Sequence, residues 1–397
     1  MNTRIATPME HKLRLLTPGP TPLPEAVRLA LAQDMIHHRK AAFVEIMEEL
    51  QPRLMRLFGT TQPVLPLSCS GTGAMVAVAG SLFAPGEKVV VVEGGKFGER
   101  WREIAESLGL AVTVLAVPWG TAVDPQQLRA VLDADPNVAG VLVQVSETST
   151  GVLHPVRELA AITRQRSVLL VADGISAVGV SPCPMDAWGI DALLTGSQKG
   201  LMLPPGLALA ALSERAWAKA ESLGPRHFYF NLLAERAKAR QGQTLFTSPV
   251  NLLRGLAVSL ALFEEAGMEQ VFRKQWALTC MARRGVQSLG LELLAKTHFT
   301  WGLTAVRLPA GVDGARVLQS AAKWGVIMAG GQGQLKGRIV RLGHMGHVDF
   351  GDLLAGLYAL RQGIMEAGGF SAARTYLEDA MAAYEAALQA GLPEEAL

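Results

Sequence analysis

Lys199 stands in Ser197-Gln198-Lys199-Gly200, between the apolar runs 191–196 and 207–212, with Pro204-Pro205-Gly206 as the turn before the second run. A lysine in the loop between two buried strands is in a place where desolvation penalises the ammonium and lowers its pKa. A neutral amine is what attack on a carbonyl carbon and Schiff-base formation require. Asp173 closes the run Val168-Leu169-Leu170-Val171-Ala172, so its carboxylate lies at a buried strand end and needs a cation or a strong donor. A helix cap would meet that need, and so would the protonated nitrogen of a pyridine ring. Ser70-Gly71-Thr72-Gly73 offers backbone N–H groups at a helix start, which suits a phosphate, although a plain tight turn explains its glycines equally well. Met75 and Val76 stand where a dinucleotide fingerprint has its third small residue, and the P-loop lysine is absent. Arg341, inside the apolar Val340-Arg341-Leu342-Gly343, needs an anion, either a substrate carboxylate held by its planar fork or an acid of the same chain.

These residues hang on a regular alternation. Strand-like runs at 64–68, 88–92, 111–117, 140–145 and 167–172 are separated by helical stretches at 74–82, 98–108, 125–132 and 155–164. Strands apolar at consecutive positions, alternating with helices, indicate an α/β fold with a mainly parallel sheet covered on both faces. Ligands on such sheets sit at the strand carboxyl ends, where Ser70–Gly73, Glu147-Thr148-Ser149-Thr150 and Asp173 all fall. The proline-rich stretch from Leu16 to Pro24 reads as an extended arm that needs a surface to lie on, followed by a helix at 25–32. His37-His38-Arg39 reads as a loop at the mouth of the site. After about residue 265 the pattern changes to that of a smaller α+β domain ending in a helix at 372–390. The expected organisation is an arm over 1–24, a large domain over 25–265 and a small domain over 266–397.

Composition narrows the class. The 397 residues include 37 basic and 35 acidic ones, a net charge of +2 that gives no footprint for nucleic acid or a membrane surface. With 49% hydrophobic residues the chain can fill a large core and a subunit interface. The stretch 1–16 lacks the apolar centre of a signal peptide, no apolar run is long enough for a membrane span, and the cytoplasm is the expected location. Three cysteines without paired spacing indicate neither a disulfide framework nor a metal site.

The cup, the strand-end Asp173 and the loop Lys199, in that order, resemble the class V aminotransferases of fold type I, with a close match to the alanine–glyoxylate and serine–pyruvate group. The likeness includes Pro18-Gly19-Pro20, Gly95-Lys96-Phe97-Gly98-Glu99-Arg100, Glu147 to Val152, Asp173-Gly174-Ile175, Gly196-Ser197-Gln198-Lys199 and Arg341-Leu342-Gly343. It implies a large domain with a seven-stranded sheet, a homodimer, and pyridoxal 5'-phosphate as cofactor. It further implies that Lys199 holds the cofactor as a Schiff base and carries the proton, with Asp173 on the ring nitrogen. Phe97 falls where the family stacks an aromatic, usually Trp, and Ile175 on the opposite ring face. Thr148 matches the residue beside the phenolic oxygen, and Thr72, Gly73 and Gln198 match phosphate contacts. Thr244 and Thr247 match residues that complete a neighbouring subunit's phosphate site, Thr244 replacing a frequent Tyr. Arg341 would take the substrate carboxylate. The expected reaction is transamination of alanine or serine with glyoxylate or pyruvate. An aspartate-preferring aminotransferase with Arg39 as second cation, a cysteine desulfurase-like lyase and a non-catalytic subunit are the alternatives.

Overall fold

The computed structural model describes residues 11–368 and 374–393. Its centre is a seven-stranded sheet of Leu65–Leu67 (β1), Lys88–Glu93 (β2), Ala111–Ala116 (β3), Val138–Gln144 (β4), Leu169–Asp173 (β5), Ala192–Gly196 (β6) and Ala208–Leu212 (β7), in the order β1-β7-β6-β5-β4-β2-β3. Neighbours from β3 across to β6 pair in parallel, and β7 is antiparallel to β1 and β6. β6 and β7 are joined by the loop that carries Lys199, which is too short for a crossover helix, so they pair as a hairpin.

Alternate residues of the inner strands feed two cores. Val90, Val92, Leu170 and Leu193 pack with the helices Ala41–Phe58 and Val250–Ala266, while Val89, Val91, Val171 and Leu194 pack with the helix Gly71–Leu82. Burial on both faces is why these strands read as unbroken apolar runs, each large side chain contributing about 1.5–3 kcal/mol. With both faces covered, the carboxyl ends of β1, β4, β5 and β6 are left to present polar groups on one edge.

The C-terminal part has its own sheet of Glu292–Leu293 (β8), Leu303–Arg307 (β9), Ala329–Gly330 (β10) and Ile339–Gly343 (β11), ordered β8-β9-β11-β10. Leu278, Met281, Leu342, Leu353 and Leu357 are among its core residues. Gly267, at φ 76°, separates the helices Val250–Ala266 and Met268–Ser288.

The arm, whose residues 1–10 lie outside the described ones, is expected to need a surface to lie on, and other parts of its own chain provide one. Arg14–Leu15 pairs in parallel with Val326–Ile327, Leu16 is buried and accepts from Gly343 N–H, and Thr21 N–H donates to the Gln198 carbonyl. The last helix is Tyr376–Ala390, and the expected start at 372 lies outside the described residues. The helices Glu214–Leu223 and Leu232–Ala239 are additions to the elements expected from the sequence. Among the described residues, no helix is long and apolar enough to cross a membrane.

Candidate active site

Lys199 follows β6 and is buried beneath the arm, where Nζ donates to the Pro18 carbonyl. Gly19 makes that approach possible: its φ is 116°, and a Cβ there would lie 2.5 Å from Lys199 Cδ and 2.7 Å from Nζ. Thr21 Oγ1 donates to the Lys199 carbonyl at 2.9 Å and fixes the loop from the same side. Burial brings the amine down to about 8, helped by the cations Arg341 and Arg100 and opposed by Asp173. At neutral pH such an amine gives up its proton far more readily than a surface lysine.

Asp173 ends β5 beside Lys199's strand. Its Oδ1 accepts from Ile175 N–H at 2.8 Å, a local turn, and its other oxygen has no protein hydrogen-bond partner among the described residues. Burial pushes this carboxyl up to about 7, and the nearby Glu147 adds to the shift. A cation on the free oxygen would reverse it.

The cup at the start of the Gly71–Leu82 helix packs tightly against its surroundings. A Cβ on Gly71 would lie 2.5 Å from Ile175 Cδ1, and one on Gly73 would lie 2.6 Å from Cys69 Cβ. Thr72 Oγ1 accepts from Arg100 Nη1 at 3.2 Å. Arg100 also lies 4.9 Å from the centre of the Phe97 ring, and it has no carboxylate partner among the described residues. Gln198 is half-buried on the Lys199 loop.

Arg341 reaches this group from the small sheet. Nη1 donates to the Thr148 carbonyl and Nε to the Gly330 carbonyl, both at 2.9 Å. No acid pairs with it among the described residues, so two carbonyls aim the guanidinium and Nη2 keeps its protons free. Thr148 is itself buried, at the end of the segment that follows β4. Charge interactions run from Lys199 to Asp173, Arg341 and Arg100. Direct contacts attach Ile175 to Asp173, Thr72 and Phe97 to Arg100, and Thr148 to Arg341. Gly73 shares the helix start with Thr72, and Gln198 precedes Lys199 on its loop.

Thr244 and Thr247 form a separate group. Thr244 is buried, with Oγ1 donating to the Phe246 carbonyl at 2.8 Å, while Thr247 is exposed with Oγ1 3.5 Å from His38 Nε2. Arg39 is spent on the same loop, donating to Gln243 Oε1 and to the carbonyls of Thr244 and Leu245. These acceptors tie Arg39 to that loop, and it has no carboxylate partner among the described residues.

Two residues of the site, Arg100 and Glu147, receive no role from the sequence alone. Arg100 lies one helical turn beyond Phe97, and Glu147 is a carboxylate in an otherwise uncharged buried stretch, which is the signal that marks it. The thiols are unsuited to act as nucleophiles, since burial pushes Cys69 and Cys280 up to about 11 and Cys183 up to about 12. That removes the feature a desulfurase-like lyase needs.

These residues fit pyridoxal phosphate. A buried amine of lowered pKa, a buried carboxyl lacking a cation, and a glycine-bearing helix start with an uncompensated Arg100 beside it match the aldehyde, the ring nitrogen and the phosphate.

Comparison with known proteins agrees. The family model described as "Aminotransferase class-V" matches residues 25–345. A protein of Synechococcus named "Soluble hydrogenase, small subunit" is 37% identical, covering 91% of this chain and 95% of its own. The serine–glyoxylate aminotransferase of Methylorubrum extorquens is 31% identical, covering 94% and 98%. Among solved structures, an aspartate aminotransferase of subgroup IV from Thermus thermophilus is 36% identical with a TM-score of 0.84, covering 89% of this chain and 99% of its own. A buried strand-loop lysine facing a strand-end aspartate, within a match that takes in both sheets, places the chain among the class V aminotransferases, as a pyridoxal-phosphate-dependent transaminase.

Proposed function

We propose that the protein transfers the amino group of alanine or serine to glyoxylate or pyruvate, with Lys199 as the residue that bonds the cofactor and moves the proton. Bound pyridoxal phosphate supplies an aldehyde and an electron-withdrawing ring. Lys199 would contribute an amine that is neutral above about pH 8 and can act as a base toward the substrate. Asp173 would hold a positive charge on the ring nitrogen, Phe97 and Ile175 would flank the ring, and Thr72, Gly73 and Gln198 would hold the phosphate together with Thr247 of a neighbouring copy.

The observation that carries the substrate reading is Arg341, a buried fork aimed by two carbonyls with one face left for a carboxylate. A second, distal carboxylate would need its own cation. Arg39 is committed to its loop, Lys96 is paired with Glu99, and Arg100 belongs to the cup. A carboxylate closed into the site without a partner costs several kcal/mol, which favours small donors. Arg341→Met is expected to raise KM for donor and acceptor alike by about 10–100-fold, the scale of a charge-assisted pair. Specificity constants for alanine, serine and aspartate against glyoxylate, pyruvate and 2-oxoglutarate test the reading. A tenfold preference for aspartate would replace it with the aspartate-preferring one.

The same reading takes the working form to be a cytoplasmic homodimer. Support comes from apolar side chains left outside the fold, Phe228 at 87%, Met35 at 69% and Leu29 at 66% exposure, and from Tyr229 and Phe246 stacked near Thr247. Light scattering behind a sizing column is expected to give twice the chain mass at micromolar concentration. A fully active monomer would overturn it.

A further inference from the structure

The helix Lys96–Ser107, which carries Phe97, begins without a cap of its own, because Gly95 has no side chain to offer. Its first amides are taken up by a distant segment instead. Lys96 N–H donates to Ser149 Oγ at 3.0 Å, and Phe97 and Gly98 N–H donate to Glu147 Oε2 at 3.1 and 3.0 Å. The other oxygen, Glu147 Oε1, accepts from Ser149 N–H at 3.1 Å and from Ser149 Oγ at 2.5 Å.

Glu147 is fully buried and has no ion-pair partner among the described residues. Burial raises the pKa of this carboxyl, and these four donors and the positive end of the helix oppose that shift. Gly95 is part of the arrangement, since a Cβ there would lie 2.4 Å from both Glu147 Cδ and Ser149 Oγ. The residue between the two anchors is Thr148, whose carbonyl holds Arg341.

We propose that Glu147 is a positioning residue of the transaminase, a cap supplied from across the site that sets Phe97 at a fixed place relative to Thr148 and Arg341. The proposal rests on the function proposed above, in which Phe97 faces the cofactor ring and Arg341 takes the substrate carboxylate. Every partner of both carboxylate oxygens is a donor. An amide in its place must turn its NH2 against at least one backbone N–H, which cannot reorient as a hydroxyl can.

Glu147→Gln is therefore expected to weaken pyridoxal phosphate binding to the apoprotein at least tenfold, read by fluorescence titration, and to reduce the visible circular-dichroism band of the bound cofactor. KM for donor and acceptor should rise together. Ser149→Ala removes the Lys96 cap and one Glu147 partner, and should shift the same readouts in the same direction by less. Asp191→Asn serves as control. It alters a carboxylate at the other end of β6 that accepts from Leu170 N–H and Ser213 Oγ, so it should lower the melting temperature without moving the cofactor's dissociation constant or its band. If Glu147→Gln does not fold, Ser149→Ala decides alone. A folded variant of either kind with wild-type affinity and band overturns the positioning role. Wild-type protein that fails to bind pyridoxal phosphate would instead overturn the underlying reading of the site.

Discussion

Lys199→Ala is expected to lose more than about 10⁴-fold in turnover while keeping its fold and still binding cofactor, because the amine proposed to bond the cofactor and to move the proton goes with it. The cup, Asp173 and the ring-flanking residues are untouched by the change. In the wild type, borohydride should fix the cofactor at Lys199 and nowhere else. Lys88 and Lys96 are poor rivals, since Asp135 and Glu99 hold their ammonium groups. The pH dependence follows from the lowered pKa: the amine is neutral above about 8, so capture of aldehyde by the apoprotein should rise through that pH rather than near the ordinary lysine value. Peptide mapping that finds the label on another lysine would end the assignment.

Asp173→Asn carries the second largest expected effect, a loss of roughly 10²–10³-fold in kcat, the scale for removing a preorganised charge from a site. Burial leaves the carboxyl with a value of about 7 and one free oxygen. It ionises above that value, so the wild-type apoprotein should hold cofactor more tightly as pH rises through 7. The amide cannot ionise and should lose that part of the dependence. Oδ1 already serves Ile175, and Asn retains that acceptor, so melting temperature should change little. Near-normal turnover in the variant would reduce Asp173 to the turn that its Ile175 contact makes.

Much of the site is legible in the sequence because each residue breaks a local rule. Arg341 is a charge inside an apolar run, Asp173 closes one and Lys199 lies between two, and such exceptions stand out against strands buried on both faces. The strands are legible for the same reason, with ends differing by at most two residues where fraying leaves the pattern silent. Other features depend on contacts between segments far apart in the chain. Arg39 looks free in the sequence and is bound only because the loop at 243–245 folds against it, and the inward turn of Thr244 is set by Phe246 and Ser248. Glu147 stands in a recognisable motif, yet its role follows only from the amides of Phe97 and Gly98, about fifty residues away, that donate to it. The arm gives the opposite lesson: its composition announces an extended segment, and nothing in it announces Val326 and Gly343 as partners.

The docking of that arm has a consequence for the order in which the protein can be made. Residues 14–21 leave the ribosome before the groups they bind, which are 198–199, 325–327 and 343. Until those residues have followed, a stretch with Leu15 and Leu16 waits without its strand partner, and Pro18 cannot cover the lysine. Contacts that span so much of the chain form slowly and late. The large sheet can assemble during synthesis, whereas the lid over Lys199 can close only after β11 has emerged, so a nascent chain stopped before that point holds a folded sheet with an unfinished centre.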